Sequence, residues 1–146
     1  MMEKFIQDVQ VRWSDLDPNF HLRHSVYYDW GAFCRVEFFN SIGLTMGQMR
    51  QNKIGPILLR EECAFRKEIR SSDKVTIDVK FIKAKKDFSR FTIQHDIKKN
   101  ENVLAAILTV DFAWMDMEIR RLGTLPKEFQ DVLNEYPRDK DFQWMD

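Results

Sequence analysis

The sequence predicts an α+β fold: a curved antiparallel sheet wrapped around one long central helix. Three observations lead there. Residues 25–40 read as a helix, and between Val26 and Phe39 only Asp29, Arg35 and Glu37 carry charge. A helix that is apolar nearly all round is a buried helix. One alternating segment precedes it and four follow it, so strands must supply its cover. The later strands are joined by hairpin-length turns such as Ser71-Ser72-Asp73, which makes neighbours antiparallel.

Taken in order, residues 5–13 alternate Val9, Val11 and Trp13 with Gln10 and Arg12, the period of a half-buried strand. Asp15 and Asp17 follow, then a turn-like Pro18-Asn19, then His21 and His24. Ser25 suits the helix N-cap, where its hydroxyl accepts from an early helical N–H. Gly43 suits the left-handed position beyond the helix C-terminus. The helix is too short and too interrupted to span a membrane.

Residues 44–55 read as a mixed linker. From Pro56 an extended run puts Cys63, Phe65 and Ile69 on alternate positions. The cleanest strand is 75–81, with Val75, Ile77, Val79 and Phe81 against Thr76, Asp78 and Lys80. Residues 83–87 are a basic connection. Phe91, Ile93, His95 and Ile97 then mark a further strand. Residues 103–114 are apolar on both faces, as in a central strand covered on each side. Residues 122–126 are irregular, and 126–136 form a short helix with Phe129, Val132 and Leu133 on one side. The charged tail, 137–146, is loosely held, with Phe142, Trp144 and Met145 available to dock.

Composition bounds the function. At 146 residues one domain over 1–146 is expected, with enough chain for a sizeable core. Basic and acidic residues balance at 23 each, which argues against a nucleic-acid binder. A hydrophobic content of 44% excludes a largely disordered chain. Cys34 and Cys63 lie in apolar segments without metal-ligand spacing, as buried free thiols in a reducing cytoplasm do. The N-terminal MMEKFIQD carries no apolar run, so no membrane association is expected.

Chemistry gathers where the first strand ends and the helix begins. The first N–H groups of a helix have no intrahelical partner and sit at its positive dipole end, so a carbonyl placed there is polarised. Asp17 is then a candidate base or nucleophile, with His24 at the entrance. On the residues alone, Asp17 capping a turn and His24 capping the helix is the competing assignment. Asp15, on the same side of an extended segment as Asp17, reads as structural, paired with Arg12. These acids and histidines lack an established metal-ligand spacing, and no metal is expected. Lys83, Lys85, Lys86 and Arg90 form a basic cluster that is either solvated surface or a grip on phosphate. No G-x-S-x-G nucleophile is present, which disfavours a serine hydrolase.

Asp15-Leu16-Asp17, His21, His24, Tyr27 and Arg35 together resemble the motif of the hotdog-fold acyl-CoA thioesterases. The resemblance is in particular to the branch that includes 4-hydroxybenzoyl-CoA thioesterase and the Tol-Pal-associated thioesterases. Phe65-Arg66-Lys67 before the Ser-Ser-Asp turn, the segment 85–90, and Leu125-Pro126 with the helix after it resemble later family features. The likeness covers a core of about residues 4–134. It implies hydrolysis of an acyl-CoA thioester to a carboxylate and free coenzyme A, with coenzyme A present only as part of the substrate and no other cofactor. Asp17 falls on the family's catalytic aspartate, and His24 on the histidine some members use beside it. His21, Arg23, Ser25 and Tyr27 fall in the oxyanion and substrate pocket. Lys85, Lys86, Ser89 and Arg90 fall where coenzyme A binds.

Phe20 stands where many members have Gly, Arg23-His24 where many have Asn-Asn, and Ala32 where an acid is common. A hotdog enoyl-CoA hydratase or dehydratase, and a non-catalytic acyl-CoA or acyl-carrier binding protein, are the alternatives. The central helix and residues 103–114 offer more apolar surface than one small sheet covers. A homodimer or homotetramer with continuous sheets is therefore expected, as the resemblance also implies.

Overall fold

The computed structural model describes residues 2–145. The first strand, β1 (Ile6–Val9), is shorter than its alternation suggests, because the chain tightens into a 3-10 turn at Trp13–Asp15. Helix α1 (His24–Ser41) follows, then a short α2 (Met46–Gln51) inside the stretch read as linker. Thr45 caps α2, its hydroxyl accepting from the Gln48 N–H at 3.1 Å. Next come β2 (Ile54–Phe65), β3 (Val75–Asp78), β4 (Lys80–Ala84), β5 (Arg90–Lys99) and β6 (Val103–Asp116). A three-residue β7 (Arg121–Gly123) occupies the segment expected to be irregular. Helix α3 (Lys127–Glu135) and β8 (Gln143–Trp144) complete the chain.

The strands form one eight-stranded sheet. β6 lies between β2 and β5, and β3 and β4 both pair with β5, all antiparallel. β1 flanks β3, and β8 runs parallel to β4. Two of the later strand readings also differ from the structure. The alternating run 75–81 is two strands, because its pairing with β5 lapses at Asp78–Val79: the Asp96 N–H donates to the Asp78 side-chain Oδ1 at 2.8 Å, and the Val79 carbonyl accepts from the Tyr136 hydroxyl at 2.6 Å. The run from Pro56 ends as a strand at Phe65, and Ile69 is buried in the connection beyond it.

The sheet curls round α1. Phe38 meets Phe5, Phe81 and Tyr136, while Phe39 meets Phe91 and Trp114. Apart from the half-buried Phe5, these aromatics are buried, and each contributes about 1.5–3 kcal/mol through its apolar area. Tyr136 anchors α3 to this core: its hydroxyl donates to the Val79 carbonyl at 2.6 Å and accepts from the Phe5 N–H at 2.8 Å. α1 is covered on one side only. Val26, Tyr27, Trp30, Cys34 and Phe38 are buried, whereas Phe33 and Val36 remain 50% and 46% exposed. An apolar stripe therefore faces outward. Beyond the end of α1, Gly43 takes φ +87, the left-handed value expected of it.

Candidate active site

The loop before α1 is a tight hairpin whose two limbs are tied together. The Asp17 N–H donates to the His21 carbonyl at 2.8 Å, the Phe20 N–H to the Asp17 carbonyl at 2.9 Å, and the Arg23 N–H to the Asp15 carbonyl at 2.8 Å. Phe20 reaches φ +61 at the tip, and its ring is exposed. The outer limb is tied to the sheet connection by the Leu22 N–H, which donates to the Ile69 carbonyl at 2.8 Å.

Asp17 sits in this hairpin, half-buried. Its Oδ1 accepts from the Asn19 N–H at 2.8 Å and from the His21 N–H at 3.1 Å. Both bonds land on one oxygen; Oδ2 takes none among the described residues. The carboxylate is close enough to Tyr27 to act on it. Burial first, then the Cys63 and Asp17 charges, push the Tyr27 phenol up to about 12. Tyr27 is buried edge-on against Phe65 of β2, with ring centroids 4.9 Å apart.

The helix start differs from its sequence reading. Arg23, not Ser25, is the N-cap, and it offers no side-chain acceptor to the first turn. Ser25 lies inside the helix, where its hydroxyl is bound by the Arg23 guanidinium, which also donates to the Ser14 carbonyl at 3.3 Å. No side chain thus caps the N-terminus of α1, and His24 is its exposed first residue. Among the described residues no hydrogen bond joins His24 to Asp17. His21 has a partner of its own: its Nε2 lies 2.8 Å from Glu68 Oε2, beyond the end of β2.

Asp15 is buried, and its carboxylate accepts from the Arg12 N–H at 2.8 Å and from the guanidinium at 2.9 Å. The hydrogen bond from the Arg12 guanidinium, opposed by burial, holds its carboxyl below the ordinary value of 3.8. This carboxylate pins the hairpin base. Asp15→Ala removes the acceptor that ties Arg12 to the hairpin base and leaves a gap at a buried position, so it should lower the melting temperature. Thermal melting checks this, and an unchanged melting temperature would contradict it.

The basic cluster lies at the far end of the sheet. Lys85, Lys86 and Ser89 form the turn from β4 to β5, and Arg90 begins β5. The turn is closed by the Lys85 N–H donating to the Arg90 carbonyl at 2.8 Å and the Ser89 N–H donating to Asp87 Oδ1 at 2.9 Å. Phe91, at the same end, packs on Phe39, fifteen residues along α1 from His24 and so ~22 Å away at 1.5 Å per residue. Within one chain the fold does not bring Asp17 and the basic turn together.

A family model for the thioesterase-like superfamily matches residues 11–133. The chain belongs to the thioesterase-like superfamily. No curated protein matches it in sequence. Among solved structures, a Staphylococcus aureus protein characterised in complex with CoA superposes with a TM-score of 0.85 at 19% identity, covering 94% of this chain and 89% of that one. A 1,4-dihydroxy-2-naphthoyl-CoA thioesterase from Synechocystis gives a TM-score of 0.80 at 16% identity over 91% and 97%. A DHNA-CoA thioesterase from Staphylococcus aureus gives 0.77 at 17% identity over 91% and 88%. The architecture they share with this thioesterase-like chain is the hotdog fold.

One feature of this thioesterase-like protein escapes its sequence pattern. His95, in an apolar register of β5, is fully buried; its Nδ1 lies 2.6 Å from the Asp78 carbonyl and its Nε2 3.2 Å from Arg35 Nη1. Burial, then the Arg35 charge, lower the imidazole to about 3 against the opposing Asp78 carbonyl, so it is neutral. Nδ1 then donates to the carbonyl and Nε2 accepts from the guanidinium. Arg35 also lies over the Phe112 ring at 5.0 Å, with Glu61 at 3.6 Å. Gly31 makes the room: a Cβ there would fall 2.2 Å from Leu108 and 3.0 Å from Arg35 Nη1. Arg35 borders a cavity of about 300 Å³ whose wall includes Ala32, Phe39, Leu44, Met49 and Phe112. Among the described residues no helix is long and apolar enough to cross a membrane.

Proposed function

We propose that this protein hydrolyses acyl-CoA thioesters to the carboxylate and free coenzyme A. The observation that carries the reading is the N-terminus of α1, bare of any side-chain cap and preceded by a strapped hairpin that presents Asp17. The thioester oxygen accepts from the first helical N–H groups, where negative charge is stabilised as it develops. Asp17 takes a proton from water, hydroxide attacks the carbonyl carbon, and the tetrahedral intermediate collapses. The coenzyme A thiolate leaves and recovers a proton from Asp17. Alternatively the carboxylate attacks directly, expelling the thiolate and forming an anhydride that water opens. His24, exposed at the helix start, is placed to meet the same water or oxygen. His21, Arg23, Ser25 and Tyr27 shape the pocket. Neither route calls on a metal or a cofactor beyond the coenzyme A of the substrate.

The cavity beside Arg35 is lined toward the Phe39 end of α1 and so stands apart from Asp17 within one chain. Lys85, Lys86, Ser89 and Arg90 grip the coenzyme A phosphates. Because that turn is remote from its own Asp17, the grip on one substrate comes from a second copy of the chain. The exposed Phe33 and Val36 on α1, and the half-exposed Leu58, Leu59 and Phe65 on edge strand β2, are the surfaces that pair. The site of action is the cytoplasm, where Cys34 and Cys63 stay thiols.

A panel of acyl-CoA thioesters, read by thiol release, tests the activity; turnover of one or more of them is expected. Hydration of an enoyl-CoA without thiol release, or tight binding without turnover, would refute hydrolysis. Light scattering at micromolar concentration should give a dimer or tetramer. A monomer would refute the shared site.

A further inference from the structure

We infer that the C-terminal strand is a brace that pre-orders the coenzyme A-gripping turn. The inference rests on the reading that this turn binds phosphate. The turn is not at ease by itself. Phe88, at its tip, is a bulky residue at φ +56, a conformation that only strong surrounding contacts hold. Its ring is buried among Phe81, Phe91 and Trp144, with centroids 6.1, 6.4 and 6.0 Å away. Phe81 and Phe91 belong to the two strands the turn joins. Of these three rings, Trp144 is the one from outside the hairpin, so the tail supplies the third wall of the Phe88 cage.

The tail is fastened at both ends. β8 pairs in parallel with β4, Lys83 opposite Gln143 and Ala84 opposite Trp144, and the Met145 N–H donates to the Ala84 carbonyl at 2.8 Å. Arg138 lies over the rings of Phe142 and Trp144, at 5.2 and 4.7 Å, and these rings meet edge-on at 5.0 Å. Its Nη2 donates to Asn134 Oδ1 of α3 at 3.0 Å. A continuous line of contacts therefore runs from α3 through Arg138 and Trp144 to Phe88 and the turn. Ordering a flexible basic turn before the substrate arrives removes an entropy cost from binding. Trp144 and Arg138 are positioning residues; neither is placed on the reacting atoms.

The test compares one acyl group carried on coenzyme A with the same group carried on pantetheine, which lacks the nucleotide phosphates. Trp144→Ala and Arg138→Ala in the full chain should raise KM for the acyl-CoA roughly three- to tenfold, the gain expected from pre-ordering one or two long side chains. kcat should stay the same, as should KM for the pantetheine thioester. Trp144→Phe should restore most of the loss. Calorimetric binding of coenzyme A itself should weaken by the same factor, without reliance on turnover. A triple variant, Lys85→Ala with Lys86→Ala and Arg90→Ala, separates the brace from the grip. If the triple variant discriminates the two carriers and Trp144→Ala does not, the brace is wrong. If the triple variant fails to discriminate them, the phosphate grip falls and the brace with it. An equal shift on both carriers in Trp144→Ala would mean a general structural role and would also overturn the inference.

Discussion

Asp17→Asn lowers turnover at least ~10²-fold, the lower range for loss of acid–base catalysis. The substitution keeps the shape of the side chain, and an amide oxygen still accepts from the Asn19 and His21 N–H groups that hold Oδ1. The hairpin is therefore expected to survive. What disappears is the negative charge, and with it both the basicity and the nucleophilicity. Binding of a non-hydrolysable acyl-CoA analogue should change little. His24→Ala should give a smaller loss, since the helix N–H groups still polarise the carbonyl. If Asp17 merely caps its turn, melting temperature falls and turnover per folded molecule is retained. Both quantities, measured on one preparation, decide between the two. A folded Asp17→Asn protein within a few-fold of wild-type turnover would end the mechanism.

The second large effect is on acid stability and comes from His95. Its folded-state value, about 3, lies well below the ordinary 6.5, because burial and then the Arg35 charge disfavour the imidazolium. The unfolded chain binds the proton near 6.5 and the folded one does not. The native state is thus fully favoured above that pH and loses ground as pH falls toward 3. The slope is about 1.4 kcal/mol per pH unit through that window. Protonation would turn the Arg35–His95 hydrogen bond into two facing cations, with Glu61, 3.6 Å from Arg35, to offset them. His95→Gln removes the titration while every other group keeps its own, so the difference between the two unfolding free-energy curves against pH isolates His95. Parallel curves between pH 6.5 and 4 would show the assignment to be wrong.

Much of the fold is readable from local patterns. The helix at His24–Ser41, the strands at Arg90–Lys99 and Val103–Asp116, and the left-handed Gly43 follow from periodicity and from one residue's backbone freedom. Features set by distant partners were less legible. The break between β3 and β4 depends on the Asp78 carboxylate taking the Asp96 N–H and on the Tyr136 hydroxyl reaching the Val79 carbonyl. Ser25 has the chemistry of an N-cap, but the hydrogen-bonded hairpin places Arg23 at that position instead. α2 lacks an apolar stripe, and its start rests on one Thr45 hydroxyl. His95 alternates with Ile93 and Ile97 as a core residue would, and nothing beside it in sequence names its partners.

By itself the sequence determined the α+β class, the central helix, and a D-x-D hairpin leading into a helix N-terminus. All of these are written in residues a few positions apart, where period and turn chemistry act directly. Only the tertiary structure decided that Arg35, Glu61 and His95 meet across α1, β2 and β5, that Trp144 closes over Phe88, and that the basic turn lies at the opposite end of α1 from Asp17. Those placements depend on sheet register and on how far a helix carries the chain. Both arise from packing among segments that no local pattern connects.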